Sequence, residues 1–176
     1  MIVNTFDIMS VIQEESTDIS VRSYWPSVVA SGAMLLATDA LSIERTHGTF
    51  LLAECNLSPN EHFDFAYLQG SAELLLQFAM TYDAYAGQLL REHVFNTSIQ
   101  RNVTEQRAMI YDEGFGKMCN NLTDLQRTEL TLKFADDLQL YILTVDELRD
   151  GQWFRSGQNV TALDALSQTF LKYLLS

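Results

Sequence analysis

The chain has 176 residues, 47% of them hydrophobic, with ten Phe, seven Tyr and two Trp. That is enough for one domain-sized core and too aromatic for a disordered chain. Eleven Lys and Arg against 23 Asp and Glu leave a formal charge of -12, a field that repels nucleic acid and anionic membranes and attracts a cationic protein. Residues 1–88 hold two bases and eleven acids, a net of -9, and residues 89–176 hold nine bases and twelve acids, a net of -3.

The N-terminal segment, residues 1–23, is set apart from a helical domain, 24–176. IVNTFDIMSVIQ and DISVRSYW alternate loosely, which suits either a β-hairpin around Glu14-Glu15-Ser16 or an irregular helix packed on the bundle. The segment lacks the positive n-region of a secretory signal and meets Asp7 early, so a cytoplasmic protein, of its own cell or of a host cell, is expected. No run approaches eighteen uninterrupted apolar residues, so no membrane span is expected.

Pro26 and Pro59 both read as helix starts. After Pro26, the residues Val29, Ala33, Leu36, Ala40, Ile43 and His47 share a face, and Gly48 reads as the stop. The small side chains Ala30, Ser31, Gly32, Ala33, Ala37 and Ala40 would let a neighbouring helix approach closely. Residues 49–56 fit a short helix or a strand equally well. Ser58-Pro59-Asn60-Glu61 has the pattern of a capping box with proline at the first helical position. The apolar stripe behind it predicts a helix from 59 to about 93, bent at Gly70 or within Thr81–Gly87.

Further helix starts are expected at Asn102 or Thr104, at Thr123 with Gln126, at Thr144 with Glu147 ahead of a short helix ended by Gly151, and at Thr161 with Asp164. Helix follows helix without a parallel-sheet rhythm. The expected fold is all-α, a helical bundle of about five to seven helices.

Candidate chemistry is sparse. Glu44 and His47 form an E-x-x-H pair, half of the motif repeated in carboxylate-bridged dimetal bundles. A second pair is missing, so the pair reads as a histidine beside a solvated glutamate, with no metal or other cofactor expected. Glu113-Gly114-Phe115-Gly116-Lys117 lacks the spacing and the Ser or Thr of a phosphate loop. Its glycines read as a helix end, with Phe115 folded onto the core. No nucleophile sits in a recognisable catalytic context, and no enzyme is expected. Cys55 and Cys119, far apart, read as two thiols. The sequons at Asn56, Asn96, Asn102, Asn121 and Asn159 read as a by-product of composition.

What remains is binding. Asp39, Glu73 and Asp83 interrupt apolar runs and are candidate contacts for a basic partner. Tyr85 and the pair Trp153 and Phe154, in an expected loop between Gly151 and Gly157, are candidate anchors. The expected function is stoichiometric binding to a basic protein, as an inhibitor, immunity factor or adaptor, including occupation of a partner's nucleic-acid groove. A homodimeric structural role is the alternative, and a metal-binding bundle enzyme is a third reading.

Overall fold

The computed structural model describes the backbone of residues 19–55, 58–112 and 115–156, with side chains from Trp25 to Gly151 apart from Pro59. Over those residues it is an all-α bundle of six helices: α1 (Ile19–Glu54), α2 (Pro59–Tyr82), α3 (Ala84–His93), α4 (Ser98–Tyr111), α5 (Phe115–Asn120) and α6 (Asp124–Ser156). No strand occurs among the described residues. The stretch 19–25, expected as one arm of a hairpin or as part of an irregular helix in the segment 1–23, is helical and opens α1. The rest of that segment and the helix expected after Thr161 lie outside the described residues.

Helix α1 is the centre of the bundle, packed between α2 and α6, while α3 and α4 lean on α6. Its 36 residues run through both Pro26 and Gly48, so neither punctuates it as expected. Pro26 comes in the third turn, where the missing N–H breaks one backbone bond in a helix whose other bonds and packing persist. Gly48 serves packing rather than termination. A Cβ placed there would overlap the Phe134 ring and stand 3.0 Å from Phe65 Cε2, so the missing side chain is what lets rings from α6 and α2 meet over α1. Residues 49–54 then continue the helix.

The buried face of α1 also differs from expectation. Val29 and Ala33 are inside, but Leu36 and Ile43 are exposed. The core stripe runs instead through Ala30, Ala33, Met34, Ala37, Leu41, Leu51 and Leu52. Of the close-approach surface read from the sequence, Ala30, Ser31, Ala33 and Ala37 are buried, whereas a Cβ at Gly32 would meet nothing within 4 Å. By composition and length α1 is apolar enough over Trp25–Glu54 to cross a membrane. In this bundle it is the central helix, with Phe65, Leu76, Phe134 and Leu138 among the buried side chains of its neighbours.

Two glycines give opposite predictions. A Cβ at Gly70 would meet nothing within 4 Å, and the residue is exposed on α2. Gly70→Ala should therefore stabilise the protein by about 0.5–1 kcal/mol through helix propensity. Gly48→Ala gains the same propensity but forces Phe134 and Phe65 apart, and should cost about 1–3 kcal/mol net. Urea denaturation of the two variants checks the sign at each position.

The caps bear out two expectations and correct two. Ser58 accepts from the Glu61 N–H at 3.3 Å while Glu61 accepts from the Ser58 N–H at 2.7 Å, and Pro59 opens α2. These bonds hold the Glu61 carboxyl below its ordinary range. Thr123 and Gln126 make the equivalent reciprocal box at 3.0 and 3.3 Å. In contrast, Thr144 lies inside α6 and donates its hydroxyl to the Leu140 carbonyl, and Gly151 is also internal. Helix α4 begins at Ser98, capped by Thr97, which accepts from the Gln100 N–H at 3.2 Å.

The expected bend falls at Asp83. There α2 ends in an extended residue, and the Asp83 carboxylate caps α3 by accepting from the Tyr85 N–H at 2.8 Å and the Ala86 N–H at 3.4 Å. Ser27 on α1 donates to the other carboxylate oxygen at 2.6 Å. One residue therefore ends α2 through its extended backbone and, through its carboxylate, starts α3 and ties the joint to α1. Beside this joint Trp25 and Val29 pack with Phe78 and Tyr82, whose rings stack at 5.3 Å.

Cys55 and Cys119 are joined by a disulfide, with Cα atoms 5.4 Å apart. This corrects the expectation of two thiols. Sequence separation says nothing about distance once α1, α2 and α4 have folded back to bring α5 beside the end of α1. Phe115, the first residue of α5, is buried as expected.

Candidate functional site

Glu44 is fully buried at 0% exposure, the only charged side chain among the largest fully buried groups of the described residues. This corrects the expectation of a solvated carboxylate. Its partner is Arg107 on α4, 5% exposed, whose guanidinium meets the carboxylate in a two-point fork: Nε to Oε1 and Nη2 to Oε2, both 2.7 Å. The remaining Nη1 donates to Glu73 Oε1 at 3.2 Å, and Gln69 donates to that same oxygen at 3.0 Å. One arginine thus links α1, α2 and α4.

The fork suits the guanidinium, whose planar donors match a carboxylate pairwise. Burial pushes the Glu44 carboxyl above its ordinary value, against the pull of Arg107. Burial also opposes the charge on Arg107, but the Glu44 hydrogen bonds and the two neighbouring carboxylates outweigh it and raise the guanidinium's pKa. Both Glu44 oxygens are engaged, which leaves this carboxylate neither an exposed base nor an open metal ligand. His47 lies one turn further along α1, with a buried Nδ1 that has no hydrogen-bond partner among the described residues. Those residues contain no group of three or more His, Cys, Asp or Glu placed to hold an ion.

Two tyrosines share the field of this cluster. Burial pushes the hydroxyls of Tyr111 and Tyr141 up to about 12, with the Glu44 and Glu73 charges adding to the shift and Arg107 opposing it. A phenol that holds its proton more tightly when folded favours the folded state less as pH rises. Stability should therefore fall between pH 10 and 12, from the unfolded to the folded value. Absorbance titration should show Tyr111 and Tyr141 ionising late, together with loss of helical circular dichroism. Phenylalanine at Tyr141 should remove part of that alkaline loss.

Of the residues expected to contact a partner, Asp83 and Tyr85 meet at the start of α3, where the Asp83 carboxylate accepts from the Tyr85 N–H. Asp39 is exposed on α1. Glu73 is half-exposed and committed to Arg107 and Gln69. Asp83 is 8% exposed and engaged in the helix joint. Tyr85 is half-buried in the first turn of α3. Trp153 and Phe154 lie on the last turns of α6 rather than in a loop, and their side chains lie outside the described residues.

The large exposed apolar groups are elsewhere. On α2, Phe63, Tyr67 and Leu74 are 69%, 63% and 67% exposed. Their spacing of four and seven places them on one stripe. The core side of the same helix carries Phe65, Ala72, Leu76 and Ala79. Phe63 and Tyr67 fall outside the core stripe read from the sequence. The signal for them is a second apolar register in the same helix, which a single amphipathic face does not contain. Helix α1 carries a comparable outward row, Leu36, Ile43 and Phe50, at steps of seven. Between residues 25 and 82 the only Lys or Arg is Arg45, which is bonded to Gln139 on α6.

A groove of about 310 Å³ between Ala53 and the first turns of α6 is lined by Asp124, Arg127 and Leu132 among others. It is separate from the Glu44–Arg107 cluster and lacks a convergent set of reactive groups. Comparison of the chain with known protein families, with curated proteins and with solved structures returns no match to any of them.

Proposed function

We propose that the protein acts by stoichiometric, non-catalytic binding to a basic protein, with the outward face of α2 as the contact surface. The observation that carries this reading is the exposed stripe Phe63, Tyr67 and Leu74 on a helix that has Asp64 beside it and no Lys or Arg at all. Apolar and aromatic anchors supply binding energy, and the uncompensated acids select a cationic surface and speed encounter. Asp39 and Glu54, exposed on α1, extend the same sign of charge. An inhibitor or adaptor that covers a basic site on its partner has this combination of features. The buried cluster supports the reading from another side, since its charges are spent on joining helices.

The test is affinity capture from the protein's source with wild type and a Phe63→Ser, Tyr67→Ser, Leu74→Ser variant, followed by titration of the captured partner. Wild type should retain one basic protein at equimolar ratio and release it as salt rises. Tyr67→Ala alone should weaken binding by about 10- to 100-fold, the range of an anchor worth roughly 1.4–2.8 kcal/mol. Equal capture by wild type and triple variant would remove α2 from the interface.

Self-association is the second reading, favoured by the heptad-spaced row Leu36, Ile43 and Phe50 on α1. Sedimentation equilibrium separates the two. A concentration-dependent dimer abolished by Ile43→Glu would move the conclusion to a homo-oligomeric protein.

A further inference from the structure

We infer that the chain matures in an oxidising, glycosylating compartment and carries N-linked glycans at Asn96 and Asn121. Two independent features of the structure meet in this assignment. The first is the disulfide between Cys55 and Cys119, both buried, which ties the end of α1 to α5. Stable structural disulfides belong to secretory and extracellular environments and are rare in a reducing cytosol. The second is the sorting of the sequons by exposure.

In the sequon Asn96-Thr97-Ser98 the asparagine sits in the connection between α3 and α4 and Ser98 opens α4, and Asn121-Leu122-Thr123 forms the connection between α5 and α6. Both asparagine side chains are exposed and make no hydrogen bond to other described residues. Asn96 has a φ of 64°, the left-handed conformation that asparagine tolerates better than most residues and that turns its side chain out of the helix path. Asn102 differs. It lies within α4, half-buried, and the next residue, Val103, is in the core. A glycan there would press against the bundle, so the structure assigns it no modification. Asn56 and Asn159 lie outside the described residues.

The chemistry is a group transfer at each exposed carboxamide. The Asn side-chain nitrogen forms a bond to the anomeric carbon of a lipid-diphosphate-linked oligosaccharide, the bond from that carbon to the diphosphate oxygen breaks, and the amide loses one proton as the lipid diphosphate departs. The disulfide forms in the same compartment by thiol–disulfide exchange. Cys55 and Cys119 give up two protons and two electrons, and the disulfide of an oxidising protein is reduced to its dithiol.

The experiment uses the protein purified from its own source under thiol-blocking conditions. It is digested with a peptide amidase that removes N-glycans, in water enriched in oxygen-18, and the peptides are read by mass spectrometry. Each glycosylated asparagine becomes an aspartate carrying the heavy oxygen. Heavy aspartate at 96 and 121, with unmodified Asn102 and a Cys55–Cys119-linked peptide, is the expected result. Unlabelled asparagine at either position overturns the assignment at that position. Blocked thiols at Cys55 and Cys119 with both asparagines unlabelled overturn the compartment as well, and labelling at Asn102 overturns the sorting by exposure.

Discussion

Arg107→Ala is expected to lose about 3–5 kcal/mol of stability, a large share of what a domain of this size has in total. The reason is what stays behind. Glu44 remains fully buried and would lose both guanidinium bonds at 2.7 Å, leaving a carboxylate with neither water nor a counter-charge. The pair itself need not be the cheapest way to fill that space. Replacing both partners, Glu44→Met with Arg107→Met, should recover most of the loss, because desolvating two charges offsets much of their attraction. The recovery distinguishes a stranded charge from a lost packing volume.

The pH dependence gives a second arm. Burial raises the Glu44 carboxyl above 4.5 even beside Arg107. The folded state then binds a proton more tightly than the unfolded chain, so this group adds stability as pH falls and loses it as pH rises through the folded value. Removing Arg107 takes away the opposing pull and raises the carboxyl further. The deficit of Arg107→Ala should therefore shrink as pH is lowered from 8 to 5, in the direction that favours a neutral Glu44. Urea unfolding at the two pH values measures this. A deficit of the same size at both would mean that lost packing dominates, and that the charge is incidental.

This cluster also marks where local sequence reasoning stops. Ser58-Pro59-Glu61 and Thr123 with Gln126 are legible as helix starts because a cap is satisfied within four residues. The all-α class is legible for the same reason, as is a bend near Asp83 in an otherwise continuous stripe. Pro26, Gly48, Thr144 and Gly151 carry similarly strong local signals, yet the chain stays helical through all four. At Gly48 the reason is visible: the residue is required by Phe134 and Phe65, from helices remote in sequence. Glu44 reads as solvated in the sequence because its partner lies 63 positions away, and no spacing rule reports such a contact. On α1 the exposure of Leu36 and Ile43 follows from the direction of approach of α2 and α6, a tertiary fact. The candidate contacts suffer in the same way. Asp83 interrupts an apolar run because it caps a helix, and Phe63 and Tyr67 lie off the core stripe that periodicity picks out.

Loss of the disulfide should have an effect of comparable size through a different state. Cys55 and Cys119 are 64 positions apart, and closing a loop of that length in the unfolded chain removes entropy worth roughly 4 kcal/mol by the chain-entropy argument. The double variant Cys55→Ala, Cys119→Ala avoids placing hydroxyls in a buried site. It should unfold roughly 10 °C lower, at a few degrees per kcal/mol for a chain of this length. Its denaturant slope should also rise, since an uncrosslinked unfolded chain expands and exposes more surface. That second signature matters, because a lower midpoint alone would equally follow from two small cavities at the end of α1 and at α5. If the oxidised protein and the double variant unfolded with the same slope, the stabilisation would be assigned to native packing at Cys55 and Cys119 and not to the cross-link. If adding reductant to the wild type left its midpoint unchanged, the bond would be absent in solution, and the long return path from α1 to α5 would be held by the core alone.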